Sequence, residues 1–138
     1  MHTYTTPQAA ALVVLRLILA AVFLYAGYAK LFLWSGTPEG FSGEMAALMK
    51  FLTVVEPLGA VAVLAGFLTR WAAAGLAAIM VGAIGVMQFT MQVGFSTPEG
   101  AGWNFPLVVL GGCLVLAAFG AGRWSVDATR EKGKKVEG

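Results

Sequence analysis

Four apolar runs, each about as long as a bilayer is thick, take up most of this chain and leave it almost no other way to fold. They cover residues 9–34, 51–69, 71–93 and 103–121. A membrane-spanning helix needs about 20 apolar residues. A lone strand in lipid would strand its backbone donors and acceptors, so these runs predict helices. Composition agrees: 59% of the residues are hydrophobic, 12% are charged, and the mean hydropathy is +0.80. No soluble domain is built that way. The fold class expected is all-α, an integral membrane four-helix bundle over residues 1–128, followed by a charged tail over 129–138.

The connections refine that expectation. Only Thr69-Arg70-Trp71 joins the second and third runs, which makes them antiparallel neighbours. The loop after the first run holds the turn formers Gly36, Pro38, Gly40 and Gly43. Phe41, Met45, Leu48, Met49 and Leu52 then recur at helical spacing, with Glu44 and Lys50 off the stripe. This pattern predicts a short interfacial amphipathic helix between helices one and two. Residues 1–8 contain no Lys or Arg, so the basic start of a cleavable signal is missing and the first span is expected to be retained. The polar tail from Thr129 reads as disordered.

Each of the four tryptophans, Trp34, Trp71, Trp103 and Trp124, falls at the end of a run, as an aromatic belt requires. Both termini share one side. That side carries Arg16, Arg70, Arg123, Arg130, Lys132, Lys134 and Lys135, against Lys30 and Lys50 opposite. The positive-inside rule then predicts cytoplasmic termini in a bacterial plasma membrane.

The charges inside the runs are the exception to the apolar pattern. Arg16 and Lys30 are 14 residues apart on the first run, and Glu56 and Arg70 are 14 apart on the second. That is about 21 Å along a helix. In antiparallel neighbours, Lys30 therefore lies level with Glu56, and Arg16 with Arg70. A charge at mid-bilayer costs about 2.5–3.5 kcal/mol on insertion scales, so such residues face protein rather than lipid. Lys30 and Glu56 fit three roles: an ion pair fixing helix register, the polar floor of a quinone or other polar-ligand site, or two charges snorkelling apart. Arg16 and Arg70 are two like charges at one level. With Arg123, they suggest contact with a lipid phosphate or an acidic partner. Gln88, Gln92 and Asn104 either hydrogen-bond across helices or line the same pocket as Lys30 and Glu56. Gly75, Gly82 and Gly85 suit close helix packing, as do Gly111 and Gly112.

No residue set points to catalysis. Cys113 is alone, and His2, outside the runs, is the sole histidine. No Cys/His/Asp/Glu spacing suits a metal, and no glycine-rich phosphate loop appears. No intrinsic cofactor and no nucleic-acid partner are expected. A redox role would use a diffusible quinone or a partner's cofactor.

Arg16 followed by Phe23-Leu24-Tyr25-Ala26-Gly27-Tyr28-Ala29-Lys30-Leu31 resembles the first helix of the DoxX family. Glu56, Gly59 and Leu64-Ala65-Gly66-Phe67-Leu68-Thr69-Arg70 resemble its second helix, and Met80 a position in its third. Gly120-Ala121-Gly122-Arg123-Trp124-Ser125-Val126-Asp127 resembles its closing motif. The resemblance implies a small four-helix inner-membrane protein. It also implies association with redox enzymes, as in relatives that are subunits of a thiosulfate:quinone oxidoreductase. The chain departs from the family at Gln88–Gln92, where members often carry a histidine, and at Asn104, where many carry a glutamate. The function expected is an accessory or quinone-associated subunit of a membrane oxidoreductase complex. A small oligomeric transporter or channel subunit and a purely structural assembly factor are the alternatives. Expected partners are lipid, membrane redox proteins and further copies of the chain.

Overall fold

A computed structural model describes residues 3–137, with side chains through residue 134. His2 lies outside them. Helix α1 spans Thr6–Ala29 and runs into a 3₁₀ turn at Leu31–Trp34. Helix α2 spans Gly43–Ala65 and α3 spans Thr69–Gly85, extended by a π-helical turn at Val86–Thr90. A two-residue hairpin follows, β1 Ser96–Thr97 against β2 Gly100–Ala101. Helix α4 spans Asn104–Phe119, and α5 spans Val126–Glu137.

Local chemistry sets these boundaries. Thr5 and Gln8 form a reciprocal capping box, with Pro7 in the first turn of α1. Ser42 accepts from the Met45 amide and starts α2. Gly66 ends α2 in the left-handed conformation at φ 73°, which favours glycine. Leu12, Leu19, Phe23, Val63, Leu76, Met80, Val109, Cys113 and Leu116 pack together in an apolar cluster at the bundle centre. Ile18, Val54, Leu58, Val81 and Val108 point outward, as residues facing lipid should.

The chain is an all-α membrane protein. Thr6–Trp34, Gly43–Ala65 and Thr69–Thr90 are long and apolar enough to span, whereas the apolar helix Asn104–Phe119 is shorter. Helices α1 and α2 pack along each other, as do α3 and α4, and the α2–α3 and α1–α4 contacts close the bundle. Trp34 and Trp103 mark one end of the helices, Trp71 and Trp124 the other.

Two expectations are corrected. The stripe from Phe41 to Leu52 is not a separate interfacial helix; its residues from Gly43 onward are the first turns of α2. Ser42 supplies the cap, and nothing between Gly43 and Phe51 breaks the helix once it has started. Nor is the tail structureless. The Ser125 hydroxyl accepts from the Ala128 amide, and α5 continues to Glu137 through helix-favouring Ala, Arg, Glu and Lys.

Candidate functional site

Helices α1 and α2 meet through one close approach. A Cβ at Gly27 would collide with the Pro57 ring, so only glycine lets the backbones come this near. Pro57 sits inside α2, where its ring removes one amide donor. One turn from Gly27, Lys30 Nζ lies 2.7 Å from Glu56 Oε2. The register read from the 14-residue spacing is therefore present. Glu56 is buried, and its carboxylate is 3% exposed against 23% for the Lys30 side chain. Lys30 also donates to the Ala26 carbonyl at 3.3 Å.

An apolar groove of about 560 Å³ opens beside this pair, between α1 and the start of α4. Ala21, Val22, Tyr25, Ala26, Ala29, Lys30 and Phe105 line it. Its one charged wall is Lys30. Of the residues expected around such a site, only Lys30 lines it; Glu56 lies behind Lys30, and Gln88, Gln92 and Asn104 do not line it. Gln88 sits in the π-helical turn and Gln92 follows it at φ 53°. That irregular backbone breaks the one-turn relation between the two amides. Asn104 is the first residue of α4, and its Oδ1 is buried with no hydrogen-bond partner among the described residues.

Arg16 lies midway along α1, level with the end of α2. Its Nε donates to Val63 O at 2.9 Å and its Nη2 to Leu64 O at 2.6 Å. Its Nη1 donates to Ala121 O at 3.3 Å and Trp124 O at 2.8 Å. The guanidinium thus ties α1 to the end of α2 and to the segment after α4. The residue is 5% exposed. Backbone carbonyls at the end of α2 and in the segment after α4 thus stand where an anion was expected beside Arg16.

Arg70 and Arg123 are exposed near the same end. Arg70 has no ion-pair or side-chain hydrogen-bond partner among the described residues. Arg123 donates from Nη2 to Thr6 Oγ1 at 2.7 Å and lies 4.9 Å over the Trp124 ring. Sequence reasoning missed the part played by Asp127. Its two carboxylate oxygens accept from the Leu68 and Thr69 amides at 2.8 and 2.9 Å, capping α3. Its own amide donates to Gly66 O at 2.8 Å. Leu68 lies in the left-handed region at φ 49°, a conformation that costs a non-glycine residue about 1–2 kcal/mol. The carboxylate holds that turn in place. The only hint in the sequence is that α3 starts three residues after Gly66 without an acidic residue in its first turn.

The packing glycines divide. Gly59 accommodates Leu76 of α3, and Gly112 lies against Leu15 and Leu19 of α1. Gly75, Gly82, Gly85 and Gly111 have open space at the Cβ position, so they do not serve close packing among the described residues.

Fold and site together define a small multi-pass helical membrane protein. An ion pair joins the end of its first helix to the middle of its second, and a carbonyl-bound arginine in the middle of the first helix meets the end of the second. The DoxX family model matches residues 11–92, more than half of the chain, and the protein belongs to the DoxX family. The match takes in Arg16, Lys30, Glu56 and Arg70. No curated protein and no solved structure matches the chain.

Proposed function

We propose that this DoxX-family membrane protein is an accessory, quinone-associated subunit of a membrane oxidoreductase complex, held in a bacterial plasma membrane with both termini cytoplasmic. The observation that carries this reading is a lysine ammonium in the wall of an otherwise apolar groove. A volume of about 560 Å³ is within the range of small-molecule sites, which combine apolar walls with a few polar groups. An ammonium has three N–H donors. Ala26 O and Glu56 Oε2 take two of them, and the third is available to a quinone carbonyl. Tyr25 and Phe105 supply ring surface, and Glu56 holds the Lys30 ammonium in place. A bound quinone would supply the redox chemistry that the chain's own side chains lack.

The test is purification in several mild detergents, followed by mass spectrometry of co-purifying proteins and solvent extraction of quinones. A redox partner and a stoichiometric quinone are expected. Ala26→Phe, which fills the groove and leaves the ion pair intact, should lose the quinone. A protein that comes away alone and quinone-free from every detergent overturns the proposal.

A further inference from the structure

A second cavity, at the Trp71 and Trp124 end, is larger and entirely different in character. It has a volume of about 690 Å³ and lies between the start of α3, the segment after α4, and α5. Five cations line it: Arg70, Arg123, Arg130, Lys132 and Lys134. Two carboxylates share the wall, Asp127 and Glu131. Asp127 is occupied by the Leu68 and Thr69 amides. Among the described residues no ion pair neutralises any of the five cations, and the one salt bridge is Lys30–Glu56, at the opposite end. So many like charges around one hollow repel each other unless an anion enters.

The arginines are also held in place. Arg123 is fixed by Thr6 Oγ1 and by stacking on Trp124. Arg130 lies 5.3 Å over the Phe67 ring. Arg70 crosses close to Gly120, where a Cβ would come within 3.3 Å of its Nε. Gly120 is at φ 79° and leaves that space open. Planar guanidinium groups with free N–H donors recognise phosphate oxygens in a bidentate manner. The positive end of the α3 dipole adds to the same field. Exposed Trp71 and Trp124 set the cavity at head-group level.

We propose that this cavity is a phosphate-binding cup, which takes the phosphate of an anionic phospholipid head group through Arg70, Arg123 and Arg130, with Lys132 and Lys134 on the α5 wall. The cup is independent of the quinone groove, which lies at the other end of α1.

The protein is exchanged into nanodiscs of mixed phosphatidylcholine and phosphatidylglycerol, and lipids retained on re-extraction are counted by native mass spectrometry. Phosphatidylglycerol should be enriched over its bulk share. The enrichment should fall about fivefold per cation removed, which is the weight of one basic residue near an anionic surface. Arg70→Gln with Arg130→Gln should therefore bring it to the bulk share, and Lys132→Gln with Lys134→Gln serves as the readout if the arginine variant does not fold. In pure phosphatidylcholine, added inorganic phosphate tests the free ion. A rise in unfolding temperature for the wild type, lost in the variant, keeps the cup and makes the ligand soluble. Absence of both enrichment and a phosphate response in the wild type overturns the proposal. So does an enrichment that all variants retain.

Discussion

Arg16 shows how a charge can be stored inside a membrane helix bundle on backbone carbonyls rather than in a salt bridge. Four carbonyl oxygens from two chain segments surround its guanidinium. A lysine carries one compact ammonium with three donors, so it cannot serve all four. Arg16→Lys should leave at least one buried carbonyl unpaired and cost about 1–3 kcal/mol, read as a lower unfolding temperature in detergent. The Lys30–Glu56 pair obeys a different rule. Removing one partner leaves the other charge buried, so Lys30→Met or Glu56→Met alone should cost up to about 3 kcal/mol, the low end for a buried pair because Lys30 stays partly exposed. The double substitution should recover part of that loss, and a double-mutant cycle measures the coupling. Strictly additive losses would mean that the two side chains do not interact in the membrane.

The α2–α3 connection depends on parts distant in sequence. Gly66 is left-handed, and a side chain there would run into Ser125 and come within 2.9 Å of Arg16 Nη2. Gly66→Ala should therefore destabilise by more than the 1–2 kcal/mol of the backbone conformation alone, as measured by thermal unfolding. Asp127→Ala removes the cap of α3 and should cost about 1–2 kcal/mol, with faster amide exchange at Leu68 and Thr69 as its specific signature. The four apolar helices and the Lys30–Glu56 contact were legible in the sequence, because hydropathy and a 14-residue spacing report span and register directly. The partners of Arg16 were not, because backbone carbonyls leave no mark on residue identity. The helical tail was hidden for another reason. Its charge density reads as solvated chain, while the single hydroxyl of Ser125 that starts the helix is a weak signal.

At the scale of the bundle, the two halves of α1 have opposite chemistry. The C-terminal half ends in a neutralised pair beside an apolar groove; the N-terminal half leads from an arginine-locked junction to a cationic cup. Cutting the chain after Gly120 removes the carbonyls of Ala121 and Trp124 and the Asp127 cap, while every long apolar helix is kept. Such a truncation should insert but fail to persist, and pulse-chase decay in cells should show a much shorter lifetime than the full chain.

That contrast follows from the order in which the lock is made. The Trp124 carbonyl, the last of the four acceptors, lies 108 residues after Arg16. At 5–20 residues per second, synthesis takes about 5–20 s to supply it. Until then, α1 holds an arginine whose set of partners is incomplete, because the Val63 and Leu64 carbonyls are already made but those of Ala121 and Trp124 are not. The insertion cost of that charge, about 2.5–3.5 kcal/mol on translocon scales, discourages α1 from drifting into lipid on its own. The guanidinium thus acts as a completion mark: it is exposed in any chain that stops early and hidden only when the end of the bundle arrives to cover it.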